Sequence, residues 1–149
     1  MFAYNVLFIL IWLVSSTPLL TQDSYKKLTE EELKSAPFKT AESLADAMLT
    51  AQRKESPYLL KESEATSAVR EEFTAEKQLQ TYGAIRELFG DYQSLTFVEA
   101  YRTLTDPTYH IFRFRGGFER GNAQPEVRVV MNEAAQLAGF FIRPWQDSL

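Results

Sequence analysis

Five arginines in the C-terminal half, Arg102, Arg113, Arg115, Arg128 and Arg143, are the residues whose type and spacing best suit chemistry. Arg113 and Arg115 stand two apart, and such residues of a strand project from one face. If neighbouring strands bring Arg128 or Arg143 beside them, the result is a basic strip. Planar guanidinium forks suit carboxylates and phosphates, so these four are candidate ligand contacts. The competing reading pairs the arginines across an antiparallel sheet with Glu99, Glu119 and Glu126, as surface ion pairs of small individual worth. On that view Arg113→Ala with Arg115→Ala leaves folding nearly intact.

Other chemistry finds less to work with. His110 is the single histidine, and as a general base it needs a partner carboxylate and a pocket. It shares a strand face with Phe112 and Phe114, which reads as a core-edge or surface histidine. One histidine and no cysteine leave no ordinary zinc ligand set, so no metal and no cofactor are expected. No Gly-x-Ser-x-Gly occurs, nor a Ser-x-x-Lys in a suitable context. Gly116-Gly117 lacks the lysine and following helix of a phosphate loop. No catalytic residue is assigned.

The elements that must position these residues fall into two halves. Thr29 and Glu32 form a capping box ahead of a short helix within Tyr25 to Ser35. Ala41, Leu44, Ala45, Met48 and Leu49 follow helical spacing from Thr40. Ser56-Pro57 reads as a fresh helix start. Thr74 to Phe89 is the strongest helical pattern, with Ala75, Leu79, Tyr82, Ile85 and Phe89 on one face and Gly90 as the stop. After Gly90 the period becomes two. Leu95, Phe97 and Tyr101 alternate with Thr96, Val98 and Ala100, and His110, Phe112 and Phe114 with Ile111, Arg113 and Arg115. Val127–Met131 and Leu137–Ile142 flank a polar connection from Asn132 to Gln136, a hairpin signature. Gly116-Gly117 suggests a bulge. The expected fold is α+β, with N-terminal helices packed on a bent four-stranded antiparallel meander.

Composition bounds the rest. The 149 residues fit one domain, and 45% apolar residues suffice for a core. A net charge of −4 speaks against a nucleic-acid binder, whose phosphate contacts call for a basic face. Residues 23–91 carry ten cations against fourteen acids, while 92–149 balance at six each and all six are arginine. Ala3 to Val14 is an apolar run broken by Asn5, with Ser15-Ser16 beyond it. It reads as a signal peptide over 1–17, or as an uncleaved anchor and thus the single membrane contact. The expected organisation is a lead-in over 18–39 and one α+β domain over 40–149, exported to the periplasm or secreted.

Gly90-Asp91-Tyr92, the long strand that follows, and then FERG, VRVVMNE and LAGFFIRP resemble the small bacterial domain of unknown function 3887. That group is similar in fold to the nuclear transport factor 2-like (cystatin-like) superfamily. Glu119, Val127 to Val130, Gly139, Phe140, Phe141, Arg143 and Pro144 stand where its pattern expects them. The resemblance implies a cone-like frame and brings no catalytic motif. Look-alike modules often precede a hydrolase domain. Here five residues follow Pro144, and the expectation is that any partner enzyme is separate. Such cones often enclose a cavity holding an acid with a histidine or tyrosine. Tyr101 with Glu99 on its face could imitate that pair, whereas packed rings would fill the space instead.

Three readings stand. The first is an exported, non-catalytic module that binds a small molecule or protein through an exposed sheet face or a small apolar pocket, or forms a homodimer through that face. The second is a small cone-fold isomerase or hydrolase with a buried carboxylate. The third is an accessory or inhibitor of a cell-envelope hydrolase.

Overall fold

The computed structural model describes residues 24–121 and 124–149, so the expected signal peptide or anchor lies outside the described residues. The elements run β1 (Tyr25–Lys27), α1 (Glu30–Ser35), α2 (Phe38–Arg53), α3 (Ser67–Glu72), α4 (Ala75–Phe89), β2 (Tyr92–Thr103), β3 (Tyr109–Phe118), β4 (Glu126–Asn132) and β5 (Leu137–Arg143). The strands pair antiparallel in sequence order as one sheet. The fold is therefore α+β with a five-stranded meander, one strand more than expected. The extra strand is β1, which pairs Tyr25 to Lys27 against Thr103 to Tyr101. The segment expected as a lead-in thus carries a sheet edge.

Local sequence explains the starts of α1, α3 and α4 and the end of α4. Thr29 Oγ1 accepts from the Glu32 amide and Glu32 returns a carboxylate to the Thr29 amide, the reciprocal box that starts α1. Thr66 and Thr74 cap α3 and α4 with their hydroxyls alone, accepting from the Val69 and Lys77 amides. Gly90 ends α4 at φ 77°, a backbone region that disfavours a side chain. Ser56-Pro57 does not start a helix. The Tyr58 amide donates to Gln78 Oε1 at 2.7 Å, and Gln78 Nε2 donates to the Tyr58 carbonyl at 2.8 Å. This side-chain clamp spends the backbone groups a helical turn would need. It also rotates α4: Gln78, Tyr82 and Ile85 are buried, while Leu79 is 45% exposed.

The strand register shifts at three places, and the one at Val98 decides which way the candidate site faces. Phe97 pairs with Phe114 but Glu99 already pairs with Arg113, so Val98 is an extra residue that shifts the register. Before the bulge Phe97 points at the helices, where its ring lies 4.7 Å from that of Phe38. After it, buried Ala100 takes the helix side. Glu99 and Tyr101 are thereby turned to the face away from the helices. A second shift falls on β2 opposite Gly117, so the irregularity expected near Gly116-Gly117 sits on the neighbouring strand.

The core lies between the sheet and the helices. Met48 and Leu49 of α2, Val69 of α3 and Ile85 of α4 pack with Phe112, Phe114, Val127, Val129 and Phe140 of the sheet. Phe38 spans the middle, 5.9 Å from Phe112 and 6.2 Å from Phe114 between ring centroids. Tyr82 is buried without an orphaned hydroxyl, donating to the Met48 carbonyl at 2.9 Å.

Candidate functional site

Alternation along β3 sends Phe112 and Phe114 to the core and Arg113 and Arg115 to the opposite face. The register then lines up two rows across the sheet. Glu99, Arg113, Arg128 and Phe141 form one, and Arg115, Glu126 and Arg143 the next. All six residues singled out from the sequence, Arg113, Arg115, Arg128, Arg143, Tyr101 and Glu99, meet on this face. Arg102 does not join them. It is paired with His110 on the other phase of the strand and is exposed.

The face is a closed ion network more than an exposed strip. The Glu126 carboxylate is fully buried and receives three guanidinium groups. Arg113 Nε reaches Oε1 at 3.0 Å, Arg128 Nε reaches Oε1 at 2.7 Å, and Arg143 Nε reaches Oε2 at 3.1 Å. Arg113 also donates from Nη1 to Glu99 Oε1 at 2.5 Å, and Lys27 Nζ holds Glu99 Oε2 at 2.8 Å. Glu119, expected as a partner, instead accepts from the Asp91 amide at 3.3 Å.

A roof completes the burial. The Arg113 and Arg115 guanidinium carbons lie 4.3 Å and 4.0 Å from the Trp145 ring centroid. Arg113 Nη2 donates to the Gln146 carbonyl. Arg113 is fully buried as a result. The expectation that it contacts a ligand is corrected here, because its donors are committed to Glu99, Glu126 and Gln146. Its loss is now expected to cost stability, since removing one member of a buried ion network strands the rest.

The electrostatics follow from this packing. Burial works against the Arg113 charge, but the hydrogen bonds and charges of Glu126 and Glu99 outweigh it and hold its pKa above the ordinary arginine value. Burial would raise the Glu99 carboxyl, yet hydrogen bonds from Lys27, Tyr101 and Arg113 hold it below the ordinary range. Burial, and then the hydrogen bond to Glu99, raise the Tyr101 phenol. Glu99 is a charged acceptor with its oxygens engaged, and Tyr101 is a neutral donor. Neither is poised to move a proton near neutral pH.

His110 stacks on Phe112, ring centroids 6.3 Å apart, at the core edge. Burial and then the Arg102 charge lower its pKa. No described carboxylate hydrogen-bonds it, and Nδ1 has no described partner. Among the described residues no cluster of three His, Cys, Asp or Glu could hold a metal ion, and no helix is long and apolar enough to cross a membrane.

Three features escaped sequence reasoning. Lys27 joins through the unforeseen strand β1. Trp145 reaches back over the sheet, for which the one signal is an aromatic two residues beyond Arg143. Tyr92, buried on the helix side, donates to Asp46 Oδ1 at 2.6 Å, with burial and then this bond raising its pKa. That pair joins α2 to β2 over a separation of 46 residues, which no local pattern reveals.

Comparison with known proteins adds no relative: no family model, no curated protein and no solved structure matches this chain.

Proposed function

We propose that this protein is an exported, non-catalytic binding module on a cone-like frame of the nuclear transport factor 2-like kind. It works through the sheet face that carries the arginine–glutamate network. One observation supports the reading above others. The Val98 bulge turns Glu99 and Tyr101, the pair a cone-fold enzyme would place inside, away from the helices, and Glu99 is held there by bonds from Lys27 and Arg113. On the helix side the rings of Phe38, Phe97, Phe112 and Phe114 lie in mutual contact. A cell-envelope hydrolase is one partner consistent with this reading, suggested by the resemblance to domain 3887 alone.

The enzyme alternative has one observation of its own, the Tyr92–Asp46 bond at 2.6 Å. Turnover assays on ester, glycoside and isomerase substrates separate the two. The binding reading expects no turnover that Asp46→Asn or Glu99→Gln abolishes. A substrate whose conversion disappears in either variant, with folding intact, overturns it.

A further inference from the structure

We propose that Arg128 and Arg143, at the open end of the arginine–glutamate face, bind the carboxylate of an acidic side chain on a partner peptide. This rests on the binding-module reading and gives its ligand a chemical class.

Charge is the first argument. Lys27, Arg113, Arg128 and Arg143 share the two carboxylates of Glu99 and Glu126. Arg115 has no ion pair among the described residues and rests on Trp145. Five cations share the face with the two carboxylates of Glu99 and Glu126, and the Trp145 indole donates to Asp147, in a chain whose net charge is −4. The surplus is local, and an anion would balance it.

Donor accounting gives the position. A guanidinium carries five N–H donors. Arg128 and Arg143 each commit Nε to Glu126, and Nη2 of each is buried with no hydrogen-bond partner among the described residues. Buried donors without partners are uncommon and costly. Trp145 closes the Arg113 and Arg115 end. The Arg128 and Arg143 side chains keep 12% and 33% exposure, so approach is from β5, the sheet edge.

Geometry favours a carboxylate over a phosphate. Tetrahedral anions are commonly cradled by free backbone amides at helix N-termini or in nests. Here the cations project from the sheet face, while the strand amides lie in the plane of the sheet, so the face offers flat guanidinium forks instead of an amide cradle. Phe141 lies in register with Arg128 and two residues from Arg143 on the same face, a ring bed for an aliphatic stem.

The test follows the arginine Nε–H resonances of the ¹⁵N-labelled full chain during addition of sodium acetate, with sodium chloride at equal ionic strength as reference. The Arg128 and Arg143 signals are expected to shift saturably with acetate, and the Arg113 signal to shift little. Arg143→Gln should weaken the apparent acetate affinity by about tenfold, and Arg143→Lys by less, since it keeps charge without the fork. If Arg143→Gln fails to fold, Arg143→Lys carries the comparison. Equal shifts from chloride, or saturation by inorganic phosphate without saturation by acetate, overturn the proposal. Loss of turnover in Asp46→Asn would remove the binding-module reading alone. A silent acetate titration would remove the carboxylate site alone.

Discussion

Arg113 and Glu126 form an ion pair with no exposure on either side chain, Nε to Oε1 at 3.0 Å, on a sheet face that looks away from the helices. Replacing one partner of such a pair leaves a buried charge uncompensated, which costs about 3–5 kcal/mol. Glu126→Gln removes the counter-charge of three arginines together. Urea unfolding of Glu126→Gln should show a loss of that size. A paired apolar replacement, Arg113→Met with Glu126→Leu, should lose less than the two single losses added together.

Trp145 is a roof held by two guanidinium groups. A desolvated cation–π contact contributes up to about 2 kcal/mol, so Trp145→Ala should cost about 1–2 kcal/mol. It should also open Arg113 to solvent. Faster exchange of the Arg113 Nε proton, with the core amides unchanged, is the measurement that separates unroofing from general loosening.

Gly116 tests the packing beneath β3. A Cβ built there would lie 2.6 Å from Phe118 Cε2 and 3.2 Å from Val127 Cγ2. Phe118 and Val127 are buried, so neither has much room to withdraw. Gly116→Ala should therefore destabilise by about 1–3 kcal/mol through overpacking. A thermal melt that matches the parent would show that β3 does not sit as described.

Acid should loosen the β1–α1 corner. The hydrogen bond from Lys26, and then that from the Thr29 amide, lower the Glu32 carboxyl from an ordinary 4.5 to about 2. A carboxyl lowered in the folded state contributes stability that is complete above pH 4.5 and is lost as the pH falls towards 2. The parent should lose stability across that window. Lys26→Ala should lose less between its ends, seen as a flatter dependence of the unfolding midpoint on pH.

Much of the architecture was legible because it is written in local terms. The Thr29 box, the Thr74-to-Gly90 helix and the hairpin about Asn132 to Gln136 each depend on residues a few positions apart. The Arg113–Arg115 face followed from strand periodicity alone. What escaped depends on contacts between distant segments. The Gln78 clamp abolished the helix expected at Pro57 and rolled α4 away from Leu79. The Val98 bulge reversed Glu99 and Tyr101 without leaving a mark in the apolar alternation, since Val98 and Ala100 suit either phase. Burial of Arg113 needed Trp145 and Gln146 to fold back, and arginine type alone argues for exposure.

Glu99 is held as an anion by Lys27, Tyr101 and Arg113. A ¹³C-detected titration of its side-chain carboxyl tests that most directly. Glu99 is expected to titrate below the ordinary glutamate range, moving upward in Lys27→Ala as one of its donors is lost. A Glu99 carboxyl that titrates above 4.5, drifting towards neutrality as a general acid or base does, would contradict it.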